Sequence, residues 1–280
     1  MIAYINGKFV KENDVKISPF DRGFLFADGV YEVMRTYNEK IFRMDDHISR
    51  LAYSLKEIRI NSINMDNIKK IVEEIISRNN PKGDFNLYIQ VTRGEFFPRM
   101  HAFPPEQTMP TIYISLYPLI SAPDEIDKGI KILLKEDIRW KRCDIKSISL
   151  LPSILTHQAA KEDGASEAVF VRDGFVTEGT HTNFFAVKNN IFHTTPLSNF
   201  ILSGITRKVI FEICKENSLL IKDTVIRAKE LKNYEEFFVT GTTTEIKPVI
   251  QIDDWLINDG KPGIMTRKVQ NAFFKYVSGY

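Results

Sequence analysis

The segment 139–147, which reads Arg-Trp-Lys-Arg-Cys-Asp-Ile-Lys-Ser, contains a lysine suited to nucleophilic chemistry. Lys146 follows Ile145 and precedes Ile148 by two positions, so we expect its amine to be partly shielded from water. Shielding and nearby cations both favour the neutral amine, which is the form that attacks a carbonyl carbon. The alternative interpretation is a solvated basic turn, because lysines are common at protein surfaces.

A second polar cluster covers 176–183 and places a carboxylate, Glu178, at the end of a predicted strand. Gly179 and a run of polar residues follow it. A carboxylate in this position can hold a protonated ring nitrogen of a heterocyclic cofactor. The alternative is a solvated glutamate in a hairpin turn.

Two segments rich in glycine and hydroxyl groups, 203–206 and 240–243, have the composition of phosphate sites. The first opens a predicted helix, where backbone N–H groups and the helix dipole attract an anion. A plain helix start explains the same residues without a ligand. Both interpretations remain open from these residues alone.

Several common catalytic and binding motifs are absent from the sequence. It has no GxGxxG or GxxxxGK[ST] segment, which excludes a dinucleotide fingerprint and a P-loop. The motifs HExxH and GxSxG are absent too. The histidines do not pair at metal-ligand spacings, so we expect no metal site. They are His47, His101, His157, His181 and His193.

The composition is that of an ordinary globular protein, with 43% hydrophobic and 26% charged residues. A length of 280 residues suits one large or two modest domains. The 38 basic and 36 acidic residues give a formal net charge of +2, which gives no sign of a nucleic-acid partner.

The cysteines and the apolar segments bear on the cellular compartment. Cys143 and Cys214 form no CxxC pattern, which favours a reducing compartment over a disulfide framework. The N-terminus shows no apolar run of the signal-peptide kind, and the longest uncharged stretch, 107–123, contains three prolines. We therefore expect a cytoplasmic protein with no membrane span.

Strands and helices must position these clusters, and the residue patterns predict both. Asn6-Gly7 marks a turn, and 94–105 is a predicted loop with three prolines. The predicted strands include 30–37, 87–92, 111–117, 131–134 and 237–240. The predicted helices begin at Asp45 or Asp46, at Asp66, at 149, at Ser203 or Gly204, and at 262.

Strands and helices are mixed without regular alternation, which predicts an α+β fold with two lobes. The best linker is 119–124, in a stretch rich in proline. It would separate a small N-terminal domain, 1–118, from a larger C-terminal domain, 125–280.

Taken together, these segments resemble the fold-type IV pyridoxal-phosphate enzymes, the class IV aminotransferases, and most closely the branch that acts on D-amino acids. The resemblance implies a small N-terminal α/β lobe and a larger cofactor-binding lobe with a β-barrel-like sheet. It extends over nearly the whole chain. The matching segments are 21–23, 28–33, 47–51, 139–147, 177–179, 204–207 and 240–245.

The resemblance implies pyridoxal 5′-phosphate as the cofactor and assigns residues to it. Lys146 would condense with the cofactor aldehyde and then move the proton at the substrate Cα. Glu178 would face the pyridine nitrogen, and Arg50 would bind the phosphate. Leu202 would pack against the ring, and Ile205, through its N–H, Thr206 and Thr242 would complete the phosphate site.

The resemblance also assigns a trap for the substrate α-carboxylate, made of Tyr31, Arg99 and His101. A guanidinium pairs with a carboxylate by charge-assisted hydrogen bonds. Val33 lies on the same strand face as Tyr31 by alternation and would border the substrate side chain, and Thr182 is assigned to the substrate as well. The loop 94–105 would reach the partner's active site in a homodimer.

The sequence departs from the family pattern at a few positions. Thr180, His181, Thr182 and Gly241 replace expected serines, and Glu95-Phe96-Phe97 makes the loop bulkier than expected. These departures concern substrate range and cofactor affinity more than the type of reaction.

The expected reaction is transfer of the amino group from a D-amino acid, such as D-alanine, D-glutamate or D-aspartate, to a 2-oxo acid, 2-oxoglutarate or pyruvate. The alternatives are a branched-chain L-amino acid transaminase and a lyase of the aminodeoxychorismate type. A non-catalytic cofactor-binding protein is disfavoured, because the lysine and the carboxylate are both intact.

Overall fold

A computed structural model describes residues 1–120 and 122–280. The chain divides into two compact units, and the first consists of residues 1–119 and 145–149. The second consists of 120–144 and 150–280. The predicted linker, 119–124, includes position 121, which lies outside the described residues. The segment 145–149 differs from the predicted division, because it packs with the first unit.

The first unit is a six-stranded sheet with three helices. Its sheet order is β2-β1-β6-β5-β3-β4, and the neighbouring strands are antiparallel. The strands are β1 (Ile2–Ile5), β2 (Lys8–Lys11), β3 (Gly29–Tyr37), β4 (Lys40–Ile41), β5 (Phe85–Thr92) and β6 (Thr111–Pro118). The helices are α1 (Arg22–Phe26), α2 (Met44–Glu57) and α3 (Met65–Asn79).

The apolar faces of α2 and α3 pack on this sheet, as their periodicity predicts. Leu51 and Leu55 of α2 and Val72 and Ile75 of α3 belong to one buried cluster with Leu87 of β5. This cluster buries one face of β3 and β5 against apolar side chains. The positions of side chains along β3 are therefore well fixed.

The predicted caps of α2 and α3 are wrong by two or three positions. The N-cap of α2 is Arg43, and that of α3 is Asn64, whose side chain accepts hydrogen bonds from the N–H groups of Asp66 and Asn67. Asp45 lies in the first turn of α2 instead. An aspartate is stabilised by the helix dipole throughout the first turn, so its presence does not single out the cap position.

In its described residues, the second unit contains four α-helices and a nine-stranded sheet. The strand order is β12-β11-β10-β13-β14-β7-β8-β9, and β15 pairs with β14. The helices are α4 (Pro123–Lys128), α5 (Leu151–Glu162), α6 (Ile205–Glu216) and α7 (Ile264–Ser278). The strands are β7 (Ile130–Glu136), β8 (Glu167–Arg172), β9 (Phe175–Gly179), β10 (Asn183–Lys188), β11 (Ile191–Thr194), β12 (Leu220–Asp223), β13 (Glu236–Gly241), β14 (Glu245–Ile252) and β15 (Trp255–Leu256).

This sheet curls back on itself. β9 forms one edge and β10 lies on the far side of β13, β14, β7 and β8, yet only residues 180–182 connect the two strands. The Gly179 N–H donates to the Thr182 carbonyl across that connection at 2.7 Å. Such a short link requires a strongly curved sheet, which agrees with the predicted barrel-like form.

Most predicted elements are confirmed, with boundaries shifted by a few residues. The Asn6-Gly7 turn joins β1 to β2 with φ of 45° and 86°, as a two-residue hairpin requires. The sequence did not predict α1 or α4, and α4 begins inside the predicted linker. Among the described residues, no helix combines the length and the apolar character that a membrane span needs.

Candidate active site

The backbone of Lys146 is fixed against β3 in the first unit. The Tyr31 N–H donates to the Lys146 carbonyl at 3.0 Å, and the Ile148 N–H donates to the Gly29 carbonyl at 3.1 Å. The Lys146 N–H donates to the Ser54 hydroxyl of α2 at 3.1 Å. A five-residue segment thus pairs with the start of β3 and holds the lysine in one place.

The Lys146 amine lies 4.4 Å from the centre of the Tyr31 ring. This distance allows a cation–π contact when the amine is charged. The lysine is half-buried, as the sequence predicts. Tyr31 and Val33 alternate in burial with Glu32 and Met34, so the first pair shares one face of β3.

The opposite face of β3 carries a buried charged network. Arg50 donates to Glu32 twice, from Nε at 2.7 Å and from Nη2 at 2.9 Å, and the His47 Nδ1 lies 2.8 Å from the same carboxylate. Burial opposes ionisation of Glu32, but Arg50 and His47 outweigh it and hold the pKa of Glu32 well below its usual range.

Burial lowers the pKa of His47, which favours a neutral ring that donates its Nδ1 proton to Glu32. The His47 Nε2 is buried without a hydrogen-bond partner among the described residues. Arg50 was predicted as a site residue, whereas Glu32 and His47 were not predicted as the residues that support it. The sequence did contain a signal for Glu32. It is a charged residue at a position of β3 that alternation predicts to be buried.

The carboxylate of Glu178 is buried at the end of β9 in the second unit. Its Oε1 accepts a hydrogen bond from Arg139 Nη1 at 2.6 Å. Its Oε2 accepts from the Leu202 N–H at 2.9 Å and from Asn183 Nδ2 at 3.2 Å. Burial raises the pKa of Glu178 to about 7, although Arg139 acts in the opposite direction.

Arg139 is itself held from several sides. Its Nε donates to Asp137 at 2.9 Å, and its guanidinium lies 4.3 Å from the centre of the Phe170 ring. Arg139 lies in a segment singled out from the sequence but had no predicted role, and no role was predicted for Asn183. The structure makes both residues direct partners of Glu178.

The N-terminus of α6 presents backbone amides without a side-chain cap. Gly204 precedes the helix, and the first helical hydrogen bond runs from the Lys208 N–H to its carbonyl at 3.0 Å. The N–H groups of Ile205 and Thr206 therefore precede the helical ladder. A Cβ at Gly204 would lie 1.9 Å from the Asn183 Oδ1, so the close approach here requires glycine.

The end of β13 offers hydroxyl groups in the same unit. The Thr240 Oγ1 is buried without a hydrogen-bond partner among the residues that the structure describes. Thr242 lies half-buried in the turn that follows Gly241. Leu202 is also half-buried, and its backbone binds both Glu178 and Asn183.

Arg99 and His101 are exposed on the loop between β5 and β6. Both lie against Phe26 of α1, with the Arg99 guanidinium 4.4 Å and the His101 ring 5.4 Å from the centre of the Phe26 ring. Thr182 differs from them, because it is buried and its hydroxyl donates to Glu167 at 2.9 Å.

The structure thus arranges the predicted residues in two sets. One set, in the first unit, comprises Tyr31, Val33, Arg50, Arg99, His101 and Lys146. The other set, in the second unit, comprises Glu178, Thr182, Leu202, Ile205, Thr206 and Thr242.

Comparison with known proteins gives a consistent result. The family model of Amino-transferase class IV matches residues 29–252. The D-alanine aminotransferase of Bacillus licheniformis is 39% identical over 273 residues, which are 97% of this chain and 95% of that protein.

Solved structures share the fold. The branched-chain amino acid aminotransferase of Escherichia coli has a TM-score of 0.91 at 24% identity, over 99% of this chain and 95% of that one. The branched-chain aminotransferase of the thermophilic archaeon Thermoproteus uzoniensis, solved with norvaline, has a TM-score of 0.88 at 25% identity, over 100% and 95%. The predicted α+β, fold-type IV class is confirmed.

Proposed function

The chain belongs to the class IV aminotransferase family, whose members depend on pyridoxal 5′-phosphate, and we propose that it transaminates D-amino acids. The observation that carries this proposal is the 39% identity to a D-alanine aminotransferase over 97% of the chain. The amino donors would be D-alanine, D-glutamate or D-aspartate, and the acceptors 2-oxoglutarate or pyruvate.

The surroundings of Glu178 fit a protonated pyridine ring. An ionised carboxylate has about four lone-pair sites. Three donors occupy sites on Glu178, which leaves room to accept one more N–H. When bound, pyridoxal phosphate supplies a heterocycle that accepts the electron pair left at the substrate Cα. Glu178 would support this chemistry by keeping the ring nitrogen protonated.

The donors at α6 and β13 fit a phosphate group. The amide of Ile205 and the hydroxyls of Thr206 and Thr242 would donate to phosphate oxygens, and Leu202 would pack against the ring. Arg50 would add positive charge, and its bidentate contact with Glu32 would fix the direction of its guanidinium.

Lys146 would hold the cofactor covalently and, once substrate replaces it, take the proton from the substrate Cα. General acid–base work of this kind needs an amine in a fixed place. The hydrogen bonds of the Lys146 backbone to Tyr31 and Ser54 support such a role.

Tyr31, Arg99 and His101 would bind the α-carboxylate, and Val33 would border the substrate side chain. The shared contact of Arg99 and His101 with Phe26 supports a common role. Thr182 remains a proposed substrate neighbour, and its hydroxyl is bound to Glu167.

We propose a homodimer in which the loop 94–105 reaches the partner's active site. The exposed apolar side chains Phe97, Met100 and Phe103 on this loop support a contact with another chain. We also propose a cytoplasmic location, which the two free, buried cysteines support. Light scattering after size exclusion would measure the mass of the assembly, and a monomer would contradict the dimer.

One assay tests the function. The purified protein, loaded with pyridoxal phosphate, is given D-alanine, L-alanine or L-leucine together with 2-oxoglutarate, and glutamate and pyruvate are quantified. We expect turnover with D-alanine. Turnover with L-leucine alone would favour the branched-chain alternative. In a separate reaction that contains aminodeoxychorismate alone, release of pyruvate would favour the lyase. A yellow protein that is inert in all of these reactions would contradict all three.

A further inference from the structure

Three side chains that the proposed function does not use as ligands meet in the second unit. They are His157 of α5, Glu167 at the start of β8 and His181 in the connection between β9 and β10. Each offers one ligand atom, and these atoms all lie within 4.8 Å of one another. The fold brings together residues whose spacing along the chain gives no metal motif.

Each histidine nitrogen lies near one of the two oxygens of Glu167, at a separation that suits ligands of one small cation. The His181 Nδ1 lies 3.1 Å from the Glu167 Oε2, and the His157 Nδ1 lies 3.6 Å from the Glu167 Oε1. A tetrahedral zinc ion with bonds of about 2.0–2.2 Å holds its ligands roughly 3.2–3.6 Å apart. Small side-chain shifts would therefore complete the coordination.

One atom already lies within reach of all three groups. The Thr180 hydroxyl donates to Glu167, and it lies 3.1 Å from the His181 Nδ1 and 3.4 Å from the His157 Nδ1. The hydroxyl therefore occupies the space between the three groups. An ion with bonds of about 2.0–2.2 Å would take this space once the hydroxyl turned aside and the two rings moved inward.

The environment of Glu167 favours binding of a cation, because this carboxylate is buried. Its side chain is 2% exposed, and it accepts hydrogen bonds from the neutral hydroxyls of Thr180 and Thr182 and from the Ala168 N–H. These three donors bind the carboxylate oxygens of Glu167, and none of them carries a positive charge.

Among the residues that the structure describes, the ion-pair partners of Glu167 are imidazoles rather than lysine or arginine. A buried anion is costly unless a counter-charge accompanies it. A divalent cation would supply this counter-charge and would use the nitrogen lone pairs of the imidazoles. The His157 and His181 side chains are 31% and 50% exposed, which gives an ion access from solvent.

We propose that His157, Glu167 and His181 bind one divalent transition-metal ion of the zinc class, with water as a further ligand. Two histidines and one carboxylate form a common zinc ligand set with an open position. The ion would join α5 and β8 to the connection 180–182. That connection lies between Glu178 and Asn183 in the chain, so the ion would stabilise the backbone between these two residues.

Isothermal titration of the untagged, pyridoxal-phosphate-loaded enzyme with ZnCl2, after treatment with a chelator, tests this site. We expect one ion per chain and a higher melting temperature with the ion bound. Cobalt(II) should give the visible absorption of a four-coordinate site. No stoichiometric binding would overturn the proposal.

Variants assign the binding to these residues. His157→Gln and His181→Gln should each weaken zinc binding by at least about tenfold, and both are partly exposed positions where glutamine fits. His193→Gln is the matched control, because His193 lies in the same unit, on β11, and contacts Thr224 instead. Unchanged affinity in the first two variants, or an equal loss in the control, would contradict the assignment.

Discussion

The guanidinium of Arg22 lies 2.9 Å, Nε to Oδ2, from the carboxylate of Asp28 in the first unit. Its Nη1 donates to the Met100 carbonyl at 2.7 Å, and its Nη2 donates to the His101 carbonyl at 3.3 Å. Arg93 shares Asp28 through its own Nε at 2.8 Å. A buried, ion-paired arginine therefore holds the backbone of the loop that carries Arg99 and His101 of the proposed carboxylate trap.

Arg22→Ala should raise the KM for D-alanine more than it lowers kcat, because the loop would lose its fixed backbone. Hydrogen bonds from a charged group contribute about 1.5–3 kcal/mol each, so a KM increase of roughly tenfold or more is expected. Steady-state kinetics on the pyridoxal-phosphate-loaded variant measure the separate changes in KM and kcat.

Arg22→Lys should recover part of the lost affinity, since it keeps the charge beside Asp28 but not the planar fork. Arg78→Ala is the control, because Arg78 forms an exposed pair with Glu74 on α3. A fall in kcat with KM unchanged would contradict a positioning role for Arg22.

Arg99→Ala should lower kcat/KM for D-alanine by about 10- to 100-fold, the size of one charged hydrogen-bonding contact. Cofactor binding should not change, because Arg99 belongs to the proposed carboxylate trap. Stopped-flow measurement of the half-reaction with D-alanine gives this ratio. Arg227→Ala removes an arginine that stacks on Phe175 in the second unit and should leave the kinetics unchanged. Unaltered D-alanine kinetics in Arg99→Ala would place the trap elsewhere.

Lys146→Ala should reduce turnover by at least about 10²-fold, because general acid–base groups typically contribute 10²- to 10⁴-fold. Lys146→Arg keeps a positive charge near Tyr31 and should be equally inactive, which separates the reactive amine from charge alone. Borohydride reduction followed by peptide mapping should label Lys146 in the wild type. A label on another lysine would refute the assignment.

Glu178→Gln should slow the half-reaction, since an amide does not hold a proton on a ring nitrogen as a carboxylate does.

The raised pKa of Glu178 also predicts how the stability of the cofactor-free protein depends on pH. The raised pKa means that folded Glu178 keeps its proton up to about pH 7, whereas the unfolded chain loses it near 4.5. The cofactor-free wild type therefore loses stability from this group as pH rises from about 4.5 to 7.

Glutamine does not titrate, so the cofactor-free variant lacks this loss. The melting temperature of Glu178→Gln minus that of the wild type should be more positive at pH 8 than at pH 5. Thermal scans of both cofactor-free proteins in matched buffers measure the difference. A difference that does not vary with pH would show that Glu178 titrates normally.

Asn64→Ala should destabilise the protein by about 1 kcal/mol, the usual effect of losing an N-cap side chain. The Asn64 Oδ1 accepts from the Asp66 N–H at 2.9 Å and from the Asn67 N–H at 3.2 Å. Urea denaturation with an unchanged m-value measures the loss. Asn61→Ala, in the exposed segment before the cap, should leave the unfolding midpoint unchanged.

The sequence predicted best where one residue pattern covers a whole element. Strand-forming residues predict β3 and β5, helical spacing predicts the apolar face of α3, and the structure confirms all three. The helix α1 was missed because five residues are too few to show a period. Caps were misplaced because several polar residues near a helix start satisfy the same local rule.

Contacts between distant positions explain what the sequence left out of the site. Arg50 was found through resemblance, but its pairing with Glu32 depends on a helix lying against a strand 18 positions away. The same holds for Arg139 and Glu178, which are 39 positions apart. Local patterns describe single elements, whereas these pairs depend on how the elements pack.

Residues 145–149 pack with the first unit, although the segments on both sides of them belong to the second, and this limits where the gene can be divided. The chain passes between the units at 119–120, 144–145 and 149–150. A gene truncated after codon 119 would encode β3 without Lys146, and one that starts at codon 120 would encode Lys146 without β3. Recombination at this junction would separate the Lys146 amine from the strand that holds it. Exchange of either half of the gene alone would therefore bring together a lysine and a strand from different proteins.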